Sequence, residues 1–141
     1  MTYSANADIL EQLDEAILIQ LTDDADAGEV DADAVTRAIA DADSEIDSYC
    51  GKRYAVPFST VPPRVRKLSV DIAIYNLYSR RKGAPEDRKS RYDNAIRFLI
   101  ALAKGLTTLG EDDPDGSPAE SNTPSIDQSD RIFTRDKMKG F

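Results

Sequence analysis

Three stretches of this sequence carry apolar side chains at alternating spacings of four and three. Val35, Ile39, Ala42, Ile46 and Tyr49 form the first set, Val65, Leu68, Ile72 and Tyr75 the second, and Tyr92, Ile96, Leu99, Ala103 and Leu106 the third. That rhythm follows the 3.6-residue turn, so each stretch predicts an amphipathic helix with one buried stripe. The expected fold is all-α, a small bundle of four to five helices with an extended C-terminal arm. Its expected core is Ile39, Ile46, Leu68, Ile72, Tyr75, Ile96 and Leu99. Val70, Ile74, Leu77 and Tyr78 widen the middle stripe, which predicts a central position for that helix. Phe98 and Leu102 broaden the last one.

Helix punctuation agrees with the periodicity. Residues 6–21 read as one or two short helices, with Asn6 or Asp8 able to cap the first and Asp14-Glu15 opening a second. Asp31 or Asp33 caps the next helix, and Gly51 ends it. Tyr54, Val56, Pro57 and Phe58 are dense enough to pin the following loop to the core. Pro62-Pro63 opens the central helix. Gly83-Ala84-Pro85 breaks the chain, Glu86-Asp87 suits a new N-terminus, and Gly105 or Gly110 closes the last helix.

Composition enters through charge and through what is missing. The 141 residues suit one domain with an appendage. There is no His, which removes the commonest general base and metal ligand, and the single Cys50 cannot form an internal disulfide or a CxxC zinc site. No apolar run approaches the roughly 20 residues that span a bilayer. The first ten residues show no signal-peptide pattern, so the default location is the cytoplasm of whatever cell makes the chain. The net charge of −8 is split unevenly. Residues 1–51 hold one basic and 14 acidic residues, whereas residues 52–104 hold 13 basic and 4 acidic. Either the two halves attract each other within one folded chain, or an acidic and a basic face meet between copies in a head-to-tail ring.

Residues 111–125 are acidic, contain Pro and Gly and have almost no apolar side chains, as expected of a flexible linker. Residues 126–141 end in a basic segment with Ile132, Phe133, Met138 and Phe141, the composition of a docking arm or, alternatively, of a tail that folds back on its own domain. The domain plan is therefore 1–110 helical domain, 111–125 linker and 126–141 arm.

No chemistry-bearing constellation emerges. With Gly28 as the sixth position of a calcium loop, Ala25, Ala27 and Ala34 fall where oxygen ligands are required. Asp41, Asp43, Glu45 and Asp47 alternate along a helix, so successive carboxylates diverge and predict a solvated face. Cys50 lies near Lys52 and Arg53, but without a His it predicts a structural thiol. No GxxxxGK[ST] loop is present. Basic residues cluster at Arg64, Arg66, Lys67, at Arg80, Arg81, Lys82 and at Arg88, Lys89, Arg91, interleaved with Tyr75, Tyr78 and Tyr92. They suit a phosphate backbone or, better given the net charge, the acidic first third.

The ordered set Leu18-Ile19-Gln20-Leu21-Thr22-Asp23, Glu29-Val30-Asp31, Glu45-Ile46-Asp47, Arg53-Tyr54, Val61-Pro62-Pro63, Asp71-Ile72-Ala73 and Arg91-Tyr92-Asp93 resembles a small protein family of Mu-like phages and prophages. Arg131-Ile132-Phe133-Thr134-Arg135-Asp136 and Gly140-Phe141 extend the likeness to the end of the chain. The family resembles helical head–tail connector adaptors. The resemblance implies a structural virion protein at the head–tail interface, in a dodecameric homo-oligomeric ring beneath the portal. Its implied partners are the portal protein and the next tail-side connector component, with DNA passing through the ring as a further candidate and with no membrane, cofactor or catalytic residue. The basic clusters and the C-terminal arm make Arg64, Arg66, Lys67, Arg80, Arg81, Arg131, Phe133, Arg135 and Phe141 the expected subunit or portal interface residues. The alternative is a small helical nucleic-acid-binding or regulatory protein, with the turn at Gly83 preceding a reading helix; an enzyme ranks third.

Overall fold

Pro63 occupies the first position of the central helix, where its missing N–H costs nothing, and Pro62 precedes it as N-cap. The computed structural model describes residues 2–81 and 83–110, so the linker at 111–125 and the arm at 126–141 lie outside the described residues. These described residues form five helices and no strand: α1 (Asn6–Gln12), α2 (Glu15–Thr22), α3 (Ala32–Cys50), α4 (Pro63–Ser79) and α5 (Glu86–Ala103). The all-helical expectation holds, with five helices.

The long helices α3, α4 and α5 pack pairwise against one another, and α1 and α2 each lean on α3 and α4. α4 is central, as its wide apolar girth predicts. From Leu68 to Ile74 every one of its residues is buried, Ser69 and Asp71 included. Ile39, Ile46, Leu68, Ile72 and Leu99 are core residues. Tyr75 and Ile96 are only half-buried. Tyr75 instead stacks on Tyr92, with ring centroids 4.0 Å apart and planes at 11°. The buried stripe of α5 runs through Ala95, Leu99 and Leu102.

Leu106 does not continue that stripe; it is 71% exposed. α5 has already ended at Gly105, whose φ of 77° reverses the chain. The Gly105 N–H donates to Leu102 O at 3.1 Å and the Leu106 N–H to Ala101 O at 2.9 Å, the two bonds of a Schellman turn. Gly51 ends α3 for a different reason. Its φ is an ordinary −60°, but a Cβ there would sit 2.9 Å from Asp47 O. Residues 52–60 are pinned as expected, with Tyr54 and Phe58 buried. Arg53 from this loop donates to Leu102 O and Thr107 O at 3.2 Å, and so caps the C-terminus of α5.

The cap of α3 is one of the two expected from the sequence, whereas that of α1 differs, with Ala5 rather than Asn6 or Asp8 at the N-cap. Asp31 caps α3 through the Asp33 and Ala34 N–H groups. α1 begins after Ala5, and Asp8 reaches back to accept the Ala5 N–H at 2.8 Å.

Candidate functional site

Three polar assemblies surround this core. The first is buried. Asp43 is 8% exposed, and its carboxylate accepts the Tyr3 N–H at 2.9 Å and the Ser69 hydroxyl at 2.7 Å. Ser69 Oγ also lies 2.7 Å from Ser4 Oγ. The Tyr3 hydroxyl donates to Asp47 and accepts the Phe58 N–H at 3.2 Å. This corrects the expectation of a solvated carboxylate face on α3. Adjacent acidic residues do diverge, but Asp43 and Asp47 are one turn apart and point the same way. Asp43 shares a face with Ile39, Ile46 and Cys50, and a carboxylate within an apolar stripe was the legible signal. Burial raises its pKa, with the nearby Asp47 charge adding to the rise. Burial and the Asp47 bond likewise push the Tyr3 hydroxyl up.

The second assembly holds the acidic α2–α3 loop. Asp23 accepts the Ala27 and Gly28 N–H groups at 2.9 and 2.7 Å, and these bonds lower its pKa. Asp24 accepts from Arg80 and Arg81, and the Arg80 hydrogen bond holds its carboxyl below the usual range. Arg80 also donates to Leu21 O, and Arg81 to Gln20 O and Asp23 O. Buried Thr22 accepts the Asp31 N–H at 3.1 Å. Asp23 and Asp24 therefore satisfy the loop's own backbone and two arginines. Among the described residues no cluster could hold a metal ion.

The third is a cleft of about 220 Å³ between α1, α4 and α5. Arg66 and Arg91 line it over Val70 and Pro63, with Glu11 and Gln12 on the α1 side. Arg91 reaches the Gln12 side-chain oxygen at 3.3 Å. Arg91 was read as part of a basic run; only the packing of α5 beside α4 brings it to Arg66. Lys67 is engaged by the nearly buried Asp71 at 2.6 Å. Arg64 lies outside this cleft's lining, 4.4 Å above the Phe98 ring. The residues expected at an interface are thus dispersed: Arg66 and Lys67 at the cleft, Arg64 on Phe98, Arg80 and Arg81 on the loop. Arg131, Phe133, Arg135 and Phe141 lie outside the described residues.

The start of α5, where a reading helix would present its side chains, is partly committed. Arg88 donates to Gln12 O at 2.7 Å and its side chain is only 13% exposed. Cys50 is buried, and burial pushes its thiol up to about 11.

The family model described as "Bacteriophage Mu, Gp36" matches residues 3–128. The chain belongs to this Mu gp36 family. It is 30% identical to the "Mu-like prophage FluMu protein gp36" of Haemophilus influenzae over 139 residues, covering 99% of this chain and 97% of that protein. It is 27% identical to "Gene product J" of Escherichia phage Mu over 115 residues, 81% of this chain and 79% of that one. The family match spans all five helices, so this gp36-family protein shares with its phage relatives the whole segment that builds the core. None of these names carries an enzymatic activity. No helix among the described residues is long and apolar enough to cross a membrane.

Proposed function

We propose that this gp36-family protein is a non-catalytic head–tail connector adaptor that forms a ring beneath the phage portal and resides in the virion. The observation that carries this reading is a charge partition that survives folding. Arg80 and Arg81 bind Asp24 within the chain, yet Asp26, Glu29 and Asp33 remain exposed on the α2–α3 loop and the start of α3. Arg66, Lys89, Arg91 and Arg97 remain exposed on α4 and α5. A subunit with unlike ends suits a heterologous, head-to-tail contact that closes into a ring. The phage kinship fits the same reading.

The test is the mass of the purified full chain, alone and mixed with purified portal, by size exclusion with light scattering. A ring, or a stable complex with the portal, is the expected result. Retention of DNA with no portal binding and no ring would instead select the nucleic-acid-binding alternative, which the position of Arg88 disfavours.

A further inference from the structure

We propose that the cleft between α1, α4 and α5 is the socket for the acidic α2–α3 loop of a second copy of this chain. This rests on the ring reading and names the contact that would build it.

The socket is defined by what its cations lack. The Arg66 side chain has no hydrogen bond or ion pair among the described residues, and the Arg91 side chain has only the neutral Gln12 amide oxygen. Of the acidic groups on the same cleft, Asp8 is engaged by the Ala5 N–H and Asp71 by Lys67. Three cations and three carboxylates line the cleft, so its formal charge is balanced, but the Arg66 and Arg91 guanidinium groups meet no carboxylate among the described residues and line the cleft together with Val70 and Pro63. Planar guanidinium forks favour carboxylate partners in this setting.

The loop is the complementary part. Asp23, Asp24 and Asp31 are occupied by backbone N–H groups or arginines, and they hold the loop in one shape. Asp26, Glu29 and Asp33 are exposed and have no cation partner among the described residues. A loop already held by internal bonds loses little entropy on docking.

One chain cannot make this contact with itself. α4 carries Arg66 in its first turn and ends at Arg80, which holds the loop. That separation is about 20 Å at 1.5 Å per residue, beyond side-chain reach. Cleft and loop therefore pair between copies, with each subunit offering a cleft to one neighbour and a loop to the other. Such a contact repeats without self-cancelling and generates a ring where the rotation closes.

A charge-swap experiment on the full chain tests it. One variant carries Arg66→Glu with Arg91→Glu; the other carries Glu29→Lys with Asp33→Lys. Self-association is measured by analytical ultracentrifugation at about 0.1 M salt and again at higher salt, alone and on purified portal. Wild type should associate and weaken with salt. Each variant alone should associate more than roughly tenfold more weakly, because like charges now face each other. An equal mixture of the two should recover assembly, since the reversed cleft meets the reversed loop and the native halves still match. Circular dichroism melts check folding, and if the reversed cleft unfolds, Arg66→Gln with Arg91→Gln should still remove the salt dependence. Rings or portal complexes that ignore both variants, or a mixture that stays dissociated, would overturn the socket and leave the connector reading standing. Wild type that neither self-associates nor binds portal would overturn both.

Discussion

The Tyr3 N–H donates to the Asp43 carboxylate across 2.9 Å, joining two buried residues 40 positions apart. Through this bond the segment before α1 is fastened to α3, and through Ser4 and Ser69 it reaches α4. The anchor is polar in an apolar setting, which makes it sensitive to changes that leave a donor without an acceptor.

Asp43→Ala should therefore destabilise the fold by about 1–3 kcal/mol for each stranded donor, Tyr3 N–H and Ser69 O–H. Asp43→Asn should cost less, because its amide keeps one acceptor oxygen and the Ser69 hydroxyl can turn to accept. Urea unfolding followed by far-ultraviolet circular dichroism checks both. The burial-raised pKa of Asp43 adds a sign. Its protonated form is favoured in the folded state, so its penalty is full above the raised folded pKa. It relaxes as pH falls through that pKa toward the ordinary 3.8. The Asn variant should lack that acid-side gain.

Asp24 should behave in the opposite sense. Arg80 lowers its folded pKa below the ordinary 3.8, so its contribution is fully present above 3.8 and is lost as pH falls through the folded value. Hydrogen exchange over residues 23–31 should accelerate there. Arg80→Glu with Arg81→Glu should accelerate it at neutral pH, since the reversed charges face Asp24 of the same chain. That pair of substitutions is thus a poor probe of assembly, although its arginines were expected at an interface.

Leu68→Ala and Ile72→Ala remove side chains that are 2% and 0% exposed at the heart of the bundle. Each should cost about 2–5 kcal/mol. Leu106→Ala, at a position 71% exposed beyond the last helix, should change thermal stability little. A comparison of the three melting curves is the check.

Cys50 should resist a thiol-labelling reagent at neutral pH in the folded protein and react quickly in denaturant. Its thiol is buried and pushed up to about 11, so little thiolate is present to attack. Labelling at equal rates in both states would contradict this.

Deletion of residues 131–141 should leave the thermal midpoint of the helical bundle nearly unchanged, because the described core is built from residues between Tyr3 and Leu102. Incorporation into particles should fall if the basic, aromatic segment docks on a partner. A deletion that unfolds the bundle would place that segment in the core instead.

The stripes from Val35 to Ile46 and from Val65 to Leu77, the prolines at the start of α4 and the break at Gly83 were all readable, because they follow from helical period and backbone stereochemistry within a few residues. So were the buried Cys50 and the pinned loop at Tyr54 and Phe58, whose local apolar density leaves few alternatives. The charge asymmetry was visible too, but the particular partner of each charge was not. In sequence Arg80 and Arg81 suit the acidic first third, and they do pair with it; that Asp24 is the carboxylate they meet is decided by the return of the α2–α3 loop past the end of α4. Asp43 looks solvated beside Asp41 and Glu45, until the segment before α1 brings Tyr3 to it and the packing of α4 on α3 brings Ser69. Arg66 and Arg91 are 25 positions apart and share a cleft only because α4 and α5 pack side by side. Period and capping are decided by near neighbours in the chain. The partner of a charge is decided by which distant elements the closed core brings together, since a buried or half-buried ion must find whatever donors or acceptors the packing supplies.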